Sequence, residues 1–317
     1  MRFGFPIPTR GSMGTLDTIR RLGRAADEYQ YDSIWITDHI VIPKVMKSKY
    51  PYSQDGSLDL EGAQYYLDAL TVMTYLAGVT ERVALGSSVL ILPYRNPVLV
   101  AKMVATLDVL SRGRVILGVG VGWMREEFQA LNLTTFEARG AATDEYIQIL
   151  RELWTKDWPS YRGRFYSLDE VRFYPKPVQK PHPPIWIGGH TKAAIRRAAR
   201  LGDGWHPIGL RPPAGLFPEE YAKAATDLRS QAKEAGRDPR TITLSFRAPI
   251  RFTDRATSGA RTPFIGSRDQ IVEDIREYQR LGVSHLIFDF AGPSVDAIVE
   301  QLHRFAEEVR PEFRARP

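Results

Sequence analysis

Cysteine is absent from the 317 residues. That excludes disulfides, thiolate nucleophiles, iron–sulfur clusters and cysteine-bound zinc, and it suits a reducing compartment. Histidine is scarce: there are 6, dispersed, with no His-Glu-x-x-His pair to hold a catalytic zinc. The expected C-terminal strand ends lack clustered carboxylates too, which argues against a divalent-metal hydrolase. No uninterrupted apolar run approaches the roughly 20 residues needed to span a bilayer. Met1 is followed by Arg2-Phe3-Gly4-Phe5-Pro6, an extended apolar segment with no basic-then-apolar leader. The chain is therefore expected to be cytoplasmic, with no membrane partner. A doubly wound nucleotide-binding sheet would carry a glycine-rich turn after its first strand, and Gly4 and Gly11 stand too far apart for one. Internal repeats and low-complexity segments are also lacking.

What is present is ordinary globular material, 43% hydrophobic and 25% charged, enough for a large core. The formal net charge is +6. Its arginines are scattered, and the longest basic cluster, residues 192–200, is interrupted by alanines and Ile195 like one side of an amphipathic helix. That distribution suits a small anionic cofactor better than nucleic acid, so no nucleic-acid partner is expected.

Short β-like runs alternate with helical periodicity, the pattern of a parallel α/β fold. Strands are expected at 2–8, 33–37, 83–92, 115–121, 184–188, 204–208, 242–250 and 285–290. The fourth is apolar on both faces, as a barrel strand should be. Between them lie helical stretches, among them one near 66–78. Another is opened by Asn96-Pro97 and closed at Gly113, and a third is opened by the capping box Ser267-x-x-Gln270. Eight strands, each followed by a helix, predict one (β/α)8 TIM barrel over residues 1–317, a single domain with insertions at about 40–65, 156–183 and 253–266. These are placed after strands 2, 4 and 7, where barrel loops build active sites.

Barrel enzymes place their reacting groups at the C-terminal strand ends. There the sequence offers Asp38-His39, Ser87-Ser88, Gly122-Trp123, Gly188-Gly189-His190-Thr191, Trp205-His206 and Arg251. His39 can donate a proton or bond a ring carbonyl, with Asp38 beside it to tune its charge; the alternative is a histidine satisfied by a backbone carbonyl. Gly188-Gly189-His190-Thr191 precedes a helix and reads as a phosphate turn, or as a tight strand-to-helix turn with a threonine cap. His206 is open between a site role and simple strand closure. Trp123, Met124 and Phe128 read as a cofactor wall or as rim packing. Glu126 and Glu127 answer a helix dipole, and Arg139 reaches either a phosphate or Asp144 and Glu145.

Several long motifs, in order, resemble the luciferase-like monooxygenase superfamily over nearly the whole chain. They are Trp35-Ile36-Thr37-Asp38-His39, Leu92-Pro93-Tyr94-Arg95-Asn96-Pro97, the run 105–114, Leu117-Gly118-Val119-Gly120-Val121-Gly122-Trp123, Pro177-Val178-Gln179-Lys180-Pro181, Pro184-Ile185-Trp186-Ile187-Gly188-Gly189 and Gly202-Asp203-Gly204-Trp205. Within the superfamily the chain is similar to the coenzyme F420-dependent oxidoreductases. The resemblance implies a deazaflavin, F420, held at the barrel mouth for hydride transfer to or from a small organic substrate. FMN, in a two-component monooxygenase using reduced flavin and dioxygen, is the alternative, and a catalytically silent flavin-binding protein is a third reading. It implies a non-proline cis peptide in a third-strand bulge at Ser88–Val89, a phosphate at Gly188-Gly189, and His39 near the reactive face. A homodimer is implied as well, with a flavin or F420 reductase as partner if the cofactor is not recycled in place. Sugar-phosphate dehydrogenases of the family carry a glutamate right after the fourth strand, where this chain has Trp123. The resemblance therefore does not carry that activity over.

Overall fold

Apolar strands buried on both faces need cover inside and out, and a closed barrel ringed by helices provides both. A computed structural model describes residues 1–58 and 65–313. Its barrel strands are β1 (Arg2–Pro6), β2 (Ser33–Ile36), β3 (Ala84–Ser87), β4 (Val115–Gly120), β5 (Ile185–Gly188), β6 (Gly204–His206), β7 (Thr243–Phe252) and β8 (His285–Phe290). All pair in parallel in chain order, and β8 returns to β1 with Arg2 opposite His285, closing the cylinder. Helices α1 (Leu16–Glu28), α2 (Ala69–Val79), α3 (Pro97–Leu110), α4 (Arg125–Ala130), α5 (Arg139–Thr155), α6 (Lys192–Leu201), α7 (Pro218–Glu234), α8 (Arg268–Arg280) and α9 (Val295–Arg304) surround it. The expected barrel is the observed one.

Local chemistry sets the helix starts. Asn96 accepts hydrogen bonds from the Val98 and Leu99 amides, with Pro97 in the first turn of α3. Gln270 takes the Ser267 amide at 3.1 Å, as a capping box requires. The helix expected from residue 66 begins at Ala69, because the Asp68 carboxylate caps it by accepting from the Thr71 amide at 2.8 Å.

Most apolar side chains lie between the barrel and its helices. A second, smaller cluster of Trp35, Ile116, Trp186 and Ile287 fills the lumen. His206 lies flat on Trp35, with ring centres 4.6 Å apart, and His285 meets Trp186 edge-on at 5.3 Å. Room for Trp35 comes from Gly86, where a Cβ would stand 2.4 Å from the indole. The lower barrel is thus packed solid, and only its upper end is left for chemistry.

The third strand is shorter than expected. It stops at Ser87, the Ser88–Val89 peptide is cis, and pairing with β4 resumes at Leu90–Ile91. The stretch 156–183 follows α5, not β4, so it starts from the opposite end of the barrel. Its small hairpin, Tyr161–Arg162 against Ser167–Leu168, rests on the outer wall, where Glu145 of α5 accepts from the amides of Arg164, Phe165 and Tyr166. Of the stretch 40–65, residues 59–64 lie outside the described residues. The stretch 253–266 does follow β7, and its Ile265–Gly266 pairs back against the end of that strand.

Candidate active site

Asp38 and His39 leave β2 side by side but serve different partners. The buried Asp38 carboxylate receives the Ile91 amide at 2.9 Å and both Arg95 amino groups at 2.7 and 2.8 Å. Arg95 also reaches Asp68 at 2.9 Å. Burial alone would lower the Arg95 pKa, yet the hydrogen bonds and charges of Asp38 and Asp68 outweigh it and raise it. Asp38 therefore clamps the chain beyond the bulge, and the hydrogen-bond partner expected for His39 from adjacency is not Asp38. Removing one partner of such a buried pair strands the other, so Arg95→Met is expected to cost about 3–5 kcal/mol in urea denaturation. A loss below about 1 kcal/mol, the range of an exposed pair, would show the clamp to be dispensable.

The partner of His39 is Glu127, whose place at a helix start points only to a helix dipole. Its Oε2 lies 2.6 Å from His39 Nδ1 and accepts the Tyr94 hydroxyl at 3.0 Å. Its Oε1 accepts the Ile40 and Val41 amides at 2.7 and 3.2 Å. The carboxylate is buried, whereas the His39 side chain keeps 12% of its surface exposed. Engaging Nδ1 leaves Nε2 as the nitrogen available to a ligand. Tyr66 and Trp123 stand edge-on to the imidazole, at 5.2 and 6.2 Å between ring centres. Tyr50 packs against Trp123 at 5.3 Å and against Tyr52 at 5.7 Å. Trp123 is thus part of an aromatic wall around His39. Burial, with Tyr50 adding to it against Arg247, pushes the Tyr52 hydroxyl up to about 12.

Ser87 and Ser88 serve different partners. Ser87 Oγ donates to the Gly118 carbonyl at 2.8 Å and is fully buried, a wall-to-wall contact between β3 and β4. Ser88 Oγ lies 2.8 Å from His206 Nε2 and accepts from Arg247 Nη1 at 2.9 Å. Arg247, unsuspected from sequence, is held by Asp289 at 2.8 Å, and Asp289 also takes Arg211 at 2.7 Å. Val89 sits in space kept free by two glycines: a Cβ at Gly120 would approach it to 2.4 Å and one at Gly188 to 2.8 Å. Gly188 is therefore a glycine because of Val89, a reason other than the phosphate expected there.

Gly189 is the open glycine of the pair. Its φ is +87°, and a Cβ built on it would meet only Ala194, at 3.5 Å. Its carbonyl accepts the Trp205 indole N–H at 2.8 Å. Thr191 caps α6 by accepting the Ala194 amide at 3.2 Å. His190 Nδ1 is enclosed with no hydrogen-bond partner, and burial lowers the ring's pKa. Gly122, at φ +84°, turns the chain above Phe128, which a Cβ would crowd to 2.8 Å. Arg139 donates from Nε to the Gly122 carbonyl at 3.0 Å and from Nη1 to the Phe136 carbonyl at 2.8 Å, and it stacks on the Phe136 ring. Those bonds make it a brace for the β4–α4 turn. Neither Asp144 nor Glu145 pairs with it: Asp144 holds Arg197, and Glu145 holds the outer hairpin.

None of these side chains is itself a redox group, and the barrel mouth is where such folds seat a cofactor that is. A (β/α)8-barrel with a candidate active site at its C-terminal mouth is what the fold and site define together. The chain belongs to the luciferase-like monooxygenase family, whose sequence profile matches residues 1–258. It is 30% identical to the F420-dependent glucose-6-phosphate dehydrogenase of Microbacterium testaceum over 357 aligned positions, covering 100% of this chain and 98% of the relative. Among solved structures, the monooxygenase RslO1 of Streptomyces bottropensis superposes with a TM-score of 0.80 at 21% identity, over 99% and 100% of the two chains. An F420-dependent secondary alcohol dehydrogenase, solved with an F420–acetone adduct, gives 0.77 at 18% identity, over 99% of each. The family resemblance carried by the sequence motifs is therefore correct.

Proposed function

We propose that this chain transfers a hydride between bound coenzyme F420 and a small organic substrate. The carrying observation is the His39–Glu127 pair, an aimed imidazole at the barrel mouth beside the Ser88–Val89 bulge. An F420-dependent relative aligned over the whole of this chain supports the choice of cofactor. The residues fit the group: Val89 offers a partly exposed apolar seat backed by Gly120 and Gly188, and the open Gly189 turn leads to the positive end of α6. In this reading Val89 and residues 189–191 hold the cofactor.

When bound, the deazaflavin supplies or accepts the hydride. The protein's share is orientation, proton handling and exclusion of water. With Nδ1 fixed by Glu127, His39 takes up a substrate proton at Nε2 in the oxidative direction and returns it in the reductive one. Tyr50 and Tyr52 shield the mouth. Their loop is tied to α4 through Glu126, which accepts the Lys47 and Ser48 amides at 2.8 and 3.1 Å. Burial would raise the Glu126 carboxyl, but Ser48 and these amides outweigh it and bring it to about 2.

Titration of the purified protein with F420 and with FMN, each followed by a panel of alcohols, enones and imines, tests the proposal. Tight F420 binding with single-turnover redox change is expected. Binding of FMN alone would transfer the site to a reduced-flavin monooxygenase, and binding without turnover across the panel would leave a cofactor-holding protein only.

A further inference from the structure

One histidine of the lumen is tied to the bulge by a chain of hydrogen bonds whose direction can be deduced. Arg247 Nη1 lies 2.9 Å from Ser88 Oγ, Ser88 Oγ 2.8 Å from His206 Nε2, His206 Nδ1 2.9 Å from Ser245 Oγ, and Ser245 Oγ 2.9 Å from the Trp205 carbonyl. The two ends fix the polarity: a guanidinium only donates, and a carbonyl only accepts. Each hydroxyl between them has one hydrogen to give. Ser245 gives its hydrogen to Trp205 and therefore accepts from His206 Nδ1–H. His206 Nε2 is then bare and accepts the Ser88 hydroxyl, which in turn accepts from Arg247. The opposite tautomer would aim two donors at Ser88 Oγ and leave the Ser88 hydrogen without an acceptor.

We propose that His206 is a positioning residue of this active site, which as a neutral Nδ1–H tautomer acts through Ser88 to hold the Ser88–Val89 bulge. Arg247 Nη1 also lies 3.3 Å from the Ser88 carbonyl, so the cis peptide is gripped at both its oxygen and the preceding side chain. Arg247 is anchored in turn by Asp289 of β8. The chain thus ties β3, β6, β7 and β8 together under the floor of the mouth. Its polarity also means that the Ser88 hydroxyl hydrogen is committed to His206. The charges near His206 agree with a neutral ring: burial, Arg247 and His285 all lower its pKa, to well below the ordinary value. The effect on cofactor affinity rests on the F420 reading; the direction of the chain does not.

The first test needs neither cofactor nor variant. In the 15N-histidine spectrum of the free protein, His206 is expected as a neutral ring protonated at Nδ1. A ring protonated at Nε2, or an imidazolium at neutral pH, would overturn the proposal. The second test is a double-mutant cycle. Ser88→Ala and His206→Asn are each expected to weaken F420 affinity about tenfold, the scale of one buried polar group left unpaired. The double variant should be no worse than either, since both break one link. His206→Gln, whose amide oxygen can replace Nε2 as acceptor, should recover most of the affinity. The same cycle is read without cofactor on the Val89 methyl resonances, where all three disrupted proteins should share one displacement. Losses that multiply, or Val89 displacements that add, would mean that His206 acts by packing on Trp35 and not through Ser88. A correct tautomer and cycle at Val89 with no F420 binding would refute the cofactor reading alone.

Discussion

With the proposed F420 chemistry, replacing His39 by asparagine is expected to lower turnover about 10²–10⁴-fold, the usual worth of a positioned acid–base group, while cofactor affinity changes little. The imidazole meets the mouth only at its Nε2 edge, because Nδ1 is 2.6 Å from Glu127. Glu127→Gln should give a large part of the same loss and a stability cost besides. The carboxylate receives four donors, from His39, Tyr94, Ile40 and Val41, and an amide would turn an N–H toward at least one of them. Such a mismatch costs about 1–3 kcal/mol when buried. Single-turnover rates, cofactor affinity and urea midpoints on both variants separate the effects. Unchanged turnover in His39→Asn would remove the proton role assigned to this residue.

Acidification is expected to weaken the fold well before ordinary carboxylates titrate. His206 and His285 are fully enclosed. Burial, reinforced by Arg247 and His285, lowers the first, while burial, reinforced by Arg2 and the N-terminal charge, brings the second down to about 3. In the unfolded chain each takes up its proton near pH 6.5. The unfolded state therefore binds more protons below that value, so stability is intact above about pH 6.5 and falls toward the folded-state values. Each histidine contributes about 1.4 kcal/mol per pH unit in that window, or about 4 kcal/mol for the pair between pH 7.5 and pH 5. Urea denaturation at several pH values measures the slope, and His285→Gln should remove about half of it. A wild-type stability that stays level from pH 7.5 to 5 would contradict the buried neutral state of both rings.

The barrel was legible because its strands are apolar on both faces and its helices carry their own start signals, as at Asn96-Pro97 and Ser267-x-x-Gln270. The mouth was legible only in part. His39 stood at a strand end, where position alone points to it, but its partner lies 88 residues away on α4, and no spacing rule joins the two. Adjacency misled in the case of Asp38, whose carboxylate turns to Arg95 and the Ile91 amide, partners 57 and 53 residues away in the sequence. Arg247 could have been found. In β7 the apolar Leu244, Phe246, Ala248 and Ile250 alternate with Ser245 and Arg247, which assigns a charge to the lumen face, where nothing solvates it cheaply. Gly188 shows a further limit, since a glycine kept for a distant side chain looks the same in sequence as one kept for a ligand.

Glu126 and Glu127 are consecutive residues in the first turn of α4. One grips the loop that carries Tyr50 and Tyr52 over the mouth, and the other grips the imidazole beneath it. A single short lever thus bears both the cover and the working nitrogen. The amides of Lys47 and Ser48 and the His39 imidazole share one anchor, and a change in the first turn of α4 would reach both.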